Sequence, residues 1–340
     1  MVLLRAYFIF LPLVLFFACN KDTIVDPVEQ IAFVAPTHFP APFYDFTNNP
    51  VTHDGFELGR RLFYDVRLSS DETVSCASCH HQASAFSDAG KPLSQGVAGA
   101  FGDRNSPSLS NLAWYPAFMW DGGVNHIEIS SFAAIIHPSE FNMDFAALLN
   151  KLRAIPEYQL MFEKAFGSPG IDDQRFFYAM TQFTGLMISA NSKFDQIQQG
   201  SAAFSTLEQS GFELFQSNCA NCHAGVLFTD FSYRNNGLNL DFIDEGRMGI
   251  TNNTDDLGKF RVPSLRNVAL TAPYMHDGRF FSLDQVLSHY TFGIQQSATL
   301  DTSLTESVQL NTDERAAIVA FLNTLTDIGF TSNPKFSTPF

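Results

Sequence analysis

Apolar residues recur at helical spacing in six stretches of the chain, near 56–65, 143–153, 157–166, 173–189, 206–217 and 312–325, and each predicts an amphipathic helix. Ser282 and Gln285 make the two halves of a capping box that opens another helix near 283–290. No run alternates apolar and polar positions convincingly enough to predict a strand, so the expected fold class is mainly α. One short pattern occurs twice, as GRRLF at 59–63 and GFELF at 211–215. Between the copies the periodicity lapses at QIQQGSAAFS, which is polar, small and contains Gly200, and this divides the chain into modules of about 45–200 and 201–330.

Ahead of the first module the pattern changes twice. Residues 1–19, MVLLRAYFIFLPLVLFFAC, place Arg5 before an apolar run and Ala18 before Cys19, the layout of an export signal rather than of a fold element. Cys19 resembles the lipidated cysteine of a bacterial lipoprotein, which predicts a periplasmic or cell-envelope protein with a lipid anchor. Residues 20–44, with Pro27, Pro36, Pro40 and Pro42, read as a tether and extended lead-in.

Composition adds two constraints. A length of 340 residues with 45% hydrophobic side chains is enough for two cores, and a net charge of −15 speaks against a nucleic-acid partner while suiting the attraction of a basic redox protein.

The five cysteines carry the candidate chemistry. Cys76, Cys79 and His80 in TVSCASCHHQ, and Cys219, Cys222 and His223 in SNCANCHAGV, both have the spacing of c-type haem attachment, in which two thiols add to the porphyrin and the histidine ligates the iron. Zinc half-sites and redox dithiols are the rival readings of Cys-x-x-Cys, but neither needs a histidine after each pair. Export agrees with haem attachment, which takes place outside the cytoplasmic membrane.

These motifs, with LGRRLFYDVRLSSDETVSCASCH, RNSPSLSN, FMWDGG and FRVPSLRNVALTAPYMHDGRFFSLDQVLSHY, resemble the bacterial di-haem cytochrome c peroxidase family, including its MauG branch, over about 56–325. The resemblance implies two cytochrome c-like domains, each with one covalent haem, the N-terminal one reacting with peroxide and the C-terminal one relaying electrons. By the same resemblance Trp120 lies between the haems, Glu140 moves the peroxide proton, and Asn105 with the carbonyls of Thr271 and Pro273 holds a calcium ion.

The chain departs from the family pattern in three places, at four positions. Val97 stands where a capping histidine is usual, so the N-terminal iron is expected to be open at rest unless His81, His126 or His137 replaces that cap. Tyr290, fourteen residues after His276, stands where a methionine is usual and is the expected sixth ligand of the C-terminal iron, with Met275 and His289 as rivals. In the distal pocket Ser130 replaces a glutamine and His137 an asparagine, and His137 is expected to share proton transfer with Glu140.

The function expected is a peroxidase that reduces hydrogen peroxide with electrons from a small donor, a cytochrome c or a cupredoxin. The alternatives are oxidation of a partner protein, as in the MauG branch, and plain electron carriage.

Overall fold

The structure, a computed structural model, describes residues 30–340; the export segment, Cys19 and the first part of the lead-in lie outside the described residues. Among the described residues no helix is long and apolar enough to cross a membrane.

The long helices run over His53–Tyr64, Phe145–Arg153, Pro156–Phe166, Asp173–Thr184, Thr206–Asn218 and Thr312–Asn323, and the capping box expected at Ser282 opens a shorter one, Leu283–Ser288. Their starts are written locally. Thr52, Asp144 and Asp172 each accept a backbone N–H of the first turn, and Ser205 with Glu208, Ser282 with Gln285 and Asn311 with Glu314 close capping boxes. Gly167, at φ +76°, ends the helix from Pro156 in the left-handed conformation.

Two helices stop short of the expected 189 and 325. In each case an asparagine elsewhere takes the backbone groups that another turn would need: Asn111 donates to the Met187 carbonyl and accepts from Ser189, and Asn267 donates to the Leu325 carbonyl and accepts from Asp327. The short helices Ser130–Ile136, Lys193–Gln198, Met248–Thr251 and Ile328–Thr331 span too few turns to leave a clear period in the sequence. A two-residue antiparallel pair, Tyr233–Arg234 with Phe260–Arg261, was likewise below detection.

The repeated pentapeptide marks the same joint in both modules. A Cβ on Gly59 would lie 2.0 Å from the Ala179 carbonyl, and one on Gly211 would lie 1.9 Å from the Ala317 carbonyl, so each glycine lets the module's first helix cross its last at backbone contact. Beside each crossing the pentapeptide's final phenylalanine meets a phenylalanine of the last helix: Phe63 and Phe183 have ring centroids 5.2 Å apart, Phe215 and Phe321 5.0 Å. Each pair is part of a separate buried cluster.

The ends of the chain bind the modules together. Residues 30–44 contain no helix and turn at Pro36–Phe39, and they are docked rather than a free tether: Phe39 and Tyr44 are buried, and the Trp114 indole donates to the Pro40 carbonyl at 2.8 Å. Phe330 and Phe336, beyond the last long helix, pack into the first module's core. Arg266, fully buried, makes a paired contact with Asp195 at 2.7 and 2.9 Å, and Asp195 also meets His38 of the lead-in at 2.9 Å.

Candidate functional site

Each Cys-x-x-Cys-His stretch folds as a tight turn whose histidine is already oriented. The His80 backbone N–H bonds to the Cys76 carbonyl at 2.9 Å, and its Nδ1 donates to the Phe86 carbonyl at 2.7 Å. His223 repeats this, with its backbone N–H on Cys219 at 2.9 Å and Nδ1 on the Phe228 carbonyl at 3.0 Å. Phe86 and Phe228 both sit at positive φ, +60° and +53°, the left-handed region that bulky residues rarely occupy, and this aims the two carbonyls back at the rings. A histidine that donates from Nδ1 presents Nε2 as a metal ligand. Burial lowers both histidine pKa values, which keeps the rings neutral, the form that ligates.

The four cysteines are unpaired, and burial pushes Cys76 and Cys219 up to about 12 and raises Cys79 and Cys222. A redox dithiol needs a thiol of lowered pKa, so these surroundings oppose one. Nor do three or more His, Cys, Asp or Glu side chains converge on a metal position among the described residues.

A second repeat, PSLSN at 107–111 and PSLRN at 263–267, followed by MWDG at 119–122 and MHDG at 275–278, organises the space between the modules. It was legible in the sequence as a spacing, since the methionine follows the asparagine by eight positions in both copies. Ser108 and Ser264 each donate to the carbonyl before the left-handed phenylalanine, Ala85 and Leu227, at 2.6 Å. Asn111 and Asn267 both adopt φ +61°.

The two copies then bond to each other reciprocally. The Arg261 N–H donates to the Trp120 carbonyl and the Asn105 N–H to the His276 carbonyl, both at 2.7 Å. Trp120 is thus the counterpart of His276, and its indole donates to the Asn105 carbonyl at 2.8 Å, which holds the ring on the seam between the modules.

Glu140 and Val97 are brought together. The Val97 N–H bonds to the Glu140 carbonyl at 2.9 Å, and a Cβ on the preceding Gly96 would lie 2.1 Å from the Ser139 carbonyl, so the loop sits against this segment at backbone contact. Val97 is buried; Glu140 keeps 46% of its side chain exposed but has protein on most sides, and burial raises its pKa. His137 lies 3.8 Å from its carboxylate.

The other candidates there are engaged elsewhere. The Ser130 hydroxyl donates to the Ile127 carbonyl at 2.7 Å, so it retains acceptor capacity but has no free proton to donate. His81 contacts Asp88 at 3.3 Å, and His126 lies beside Tyr44 and Glu128.

At the second module the helix Leu283–Ser288 continues as a π turn, His289–Gly293, which carries Tyr290 inward. Burial pushes the Tyr290 phenol up to about 12, with Cys219 and Cys222 near enough to add to the shift. Met275 shares this place: the Asn236 side-chain nitrogen lies 3.3 Å from the Met275 sulfur and 3.5 Å from the Tyr290 oxygen. Asn236 belonged to no motif, and no sequence signal would have found it.

The comparisons with known proteins agree with this construction. The profile of the di-haem cytochrome c peroxidase family matches residues 53–203, and that of cytochrome c matches 208–326. The methylamine utilization protein MauG of Methylorubrum extorquens is 35% identical over 282 residues, 82% of this chain and 79% of that protein. The chain belongs to the di-haem cytochrome c peroxidase family. The cytochrome c551 peroxidase of Nitrosomonas europaea is 33% identical, covering 85% of this chain and 84% of its own. Among solved structures, a MauG-like protein associated with microbial copper homeostasis superposes with a TM-score of 0.84 at 33% identity, over 91% of this chain and 99% of that one. The diheme peroxidase BthA of Burkholderia thailandensis, at 22% identity and a TM-score of 0.74 over 85% and 90%, shows the same fold.

As a family member the chain takes c-type haems, and the two Cys-His turns fit them: each has paired unbridged thiols and a neutral histidine with Nε2 available. Asn105 is compatible with an oxygen-rich cation site, because its amide nitrogen faces the Lys91 and Pro92 carbonyls at 3.3 and 3.1 Å and so directs its oxygen away from them. Residues 271–273 approach the same place, since the Gly90 N–H bonds to the Ala272 carbonyl at 2.8 Å.

Proposed function

We propose that this chain is a di-haem peroxidase that reduces hydrogen peroxide to two waters with two electrons and two protons delivered through its second module. The observation that carries the reading is the backbone contact between Val97 and Glu140, which joins the loop of a buried side chain that cannot ligate iron to the segment of a carboxylic acid whose pKa burial raises. An electron carrier gains nothing from that pairing.

Cys76, Cys79 and His80 hold the first haem and Cys219, Cys222 and His223 the second. When bound, these groups supply the electron-transfer chemistry and the iron at which peroxide is cleaved. Glu140 takes the proton from the inner peroxide oxygen and returns it to the outer one, and His137 is the nearest group to assist or replace it. Trp120, fixed on the seam by its indole and its carbonyl, stands where an electron passes from one module to the other. Asn105 with the Thr271 and Pro273 carbonyls holds calcium across that seam.

Tyr290, with Met275 as its rival, would be the side chain that joins His223 in holding the second iron. The alternative reading, MauG-like oxidation of residues in a partner protein, would be favoured by an oxygen ligand there, because such a ligand stabilises oxidised iron. The physiological setting is the periplasm or cell envelope, with a lipid on Cys19 and a small cytochrome c or cupredoxin as donor.

The test is steady-state peroxide consumption with a reduced cytochrome c or cupredoxin as donor. Glu140→Gln should lose roughly a hundred-fold or more in turnover while cyanide binding changes little. Unchanged turnover would move the proton step to His137, and absence of any peroxide-dependent donor oxidation would end the reading.

A further inference from the structure

All three side chains that compete for the sixth position of the C-terminal iron touch one residue. The Asn236 amide nitrogen contacts the Met275 sulfur at 3.3 Å and the Tyr290 oxygen at 3.5 Å, while His289 Nε2 meets the Asn236 backbone carbonyl at 3.0 Å. On the reading that Cys219, Cys222 and His223 hold a haem, we propose that Asn236 is the positioning residue that selects Tyr290 over Met275 and His289 as ligand.

Asn236 is held in place from both sides. The neighbouring Asn235 side chain donates to Ser297 and Thr299, both at 2.9 Å, and the Gly237 N–H returns to the Asn235 side-chain oxygen at 2.9 Å. Gly237 adopts φ +70° with Ile294 and Leu300 packed where a Cβ would stand, and its carbonyl accepts from Gln295 at 2.8 Å. The amide therefore presents its two N–H donors to the site at little further cost in side-chain freedom.

The three contacts act differently on the three candidates. A carbonyl can only accept, so His289 donates its Nε2 proton to Asn236, and that nitrogen no longer has a lone pair for iron. A thioether sulfur keeps a lone pair for iron when it accepts one N–H, but it is a weak acceptor and gains little from the contact. A tyrosine oxygen retains lone-pair capacity after accepting one N–H, so it binds iron and Asn236 together. Position favours the same outcome. Met275 sits in a left-handed turn at φ +74°, and Met119 occupies the same turn of the first module at φ +66°, so the turn itself accounts for the methionine. Tyr290 instead lies in the π turn, with its carbonyl fixed by the Val308 N–H at 3.0 Å.

The test uses the full-length haem-loaded protein. Asn236→Leu removes both donors at similar size, Asn236→Asp removes them in nearly the same shape, and Asn236→Gln retains them. The readouts are haem count by pyridine haemochrome, the low-spin electron paramagnetic resonance signal, the far-red sulfur-to-iron charge-transfer band and the potential of the C-terminal haem. The wild type should show tyrosine ligation and no sulfur band. Losing a hydrogen bond to an ionised acceptor shifts a ligand equilibrium roughly ten-fold or more. Asn236→Leu and Asn236→Asp should therefore develop the sulfur band and a raised potential, Met275→Leu should abolish the new band, and Asn236→Gln should resemble the wild type. If both donor-free variants keep two haems and the wild-type signal, or if the wild type already shows methionine ligation, the proposal is overturned while the di-haem reading stands. A wild type with a single haem would overturn both.

Discussion

Gly96→Ala adds one methyl group where the capping loop meets the Glu140 segment. Gly96 has negative φ, so its backbone tolerates a side chain and the effect is steric. The new Cβ would lie 2.1 Å from the Ser139 carbonyl, 2.6 Å from the Glu140 carbonyl and 2.7 Å from the Glu140 Cα, whereas real Cβ contacts essentially never fall below 3.0 Å. All three obstacles are backbone atoms, so the loop and the Glu140 segment must separate by roughly 1 Å, and overpacking of this kind costs about 1–3 kcal/mol. A displacement of that size in a catalytic group lowers turnover about a hundred-fold. Thermal unfolding should report the stability loss, and peroxide turnover should report the larger functional loss. Gly249→Ala is the control, because nothing lies within 4 Å of its Cβ position. If Gly96→Ala matches that control in both assays, the loop does not rest on Glu140 as described.

Further outcomes follow from the same geometry. Gly59→Ala and Gly211→Ala should each destabilise by about 1–3 kcal/mol despite alanine's better helix propensity, seen as a lower unfolding midpoint in denaturant, because backbone carbonyls at 2.0 and 1.9 Å stand in the way. Asp195→Ala should cost about 3–5 kcal/mol by leaving Arg266 buried without its partner. Burial opposes ionisation of Asp195, but the Arg266 hydrogen bonds more than offset it and the pKa is lowered; this stabilisation is present above the ordinary carboxylate range and is lost as pH falls through the depressed value. Glu140 has the opposite sign. Its base form is lost as pH falls through a pKa raised above the ordinary ~4.3, so the acid limb of the peroxide pH–rate profile should lie above that value and disappear in Glu140→Gln.

The helices were legible because their caps and apolar faces are local: Ser205 with Glu208 and Asn311 with Glu314 announce their starts without reference to the rest of the chain. Helix ends at 184 and 323 were not, because Asn111 and Asn267 set them from more than fifty residues away. The Cys-His turns were legible as motifs, but the carbonyls that orient His80 and His223 depend on left-handed phenylalanines for which the residue type gives no cue. Asn236 was invisible for the same kind of reason, since its meaning comes only from Met275, His289 and Tyr290 meeting it in space.

On the function proposed here Val97 would leave the N-terminal iron open to peroxide at rest, with the Glu140 segment beside it. Stopped-flow mixing of the fully oxidised protein with hydrogen peroxide tests this most directly. Spectral change within the mixing experiment, without prior reduction of either haem, is the predicted result. Reaction that begins only after one haem has been reduced would show that another side chain caps the iron and that Val97 does not leave it open.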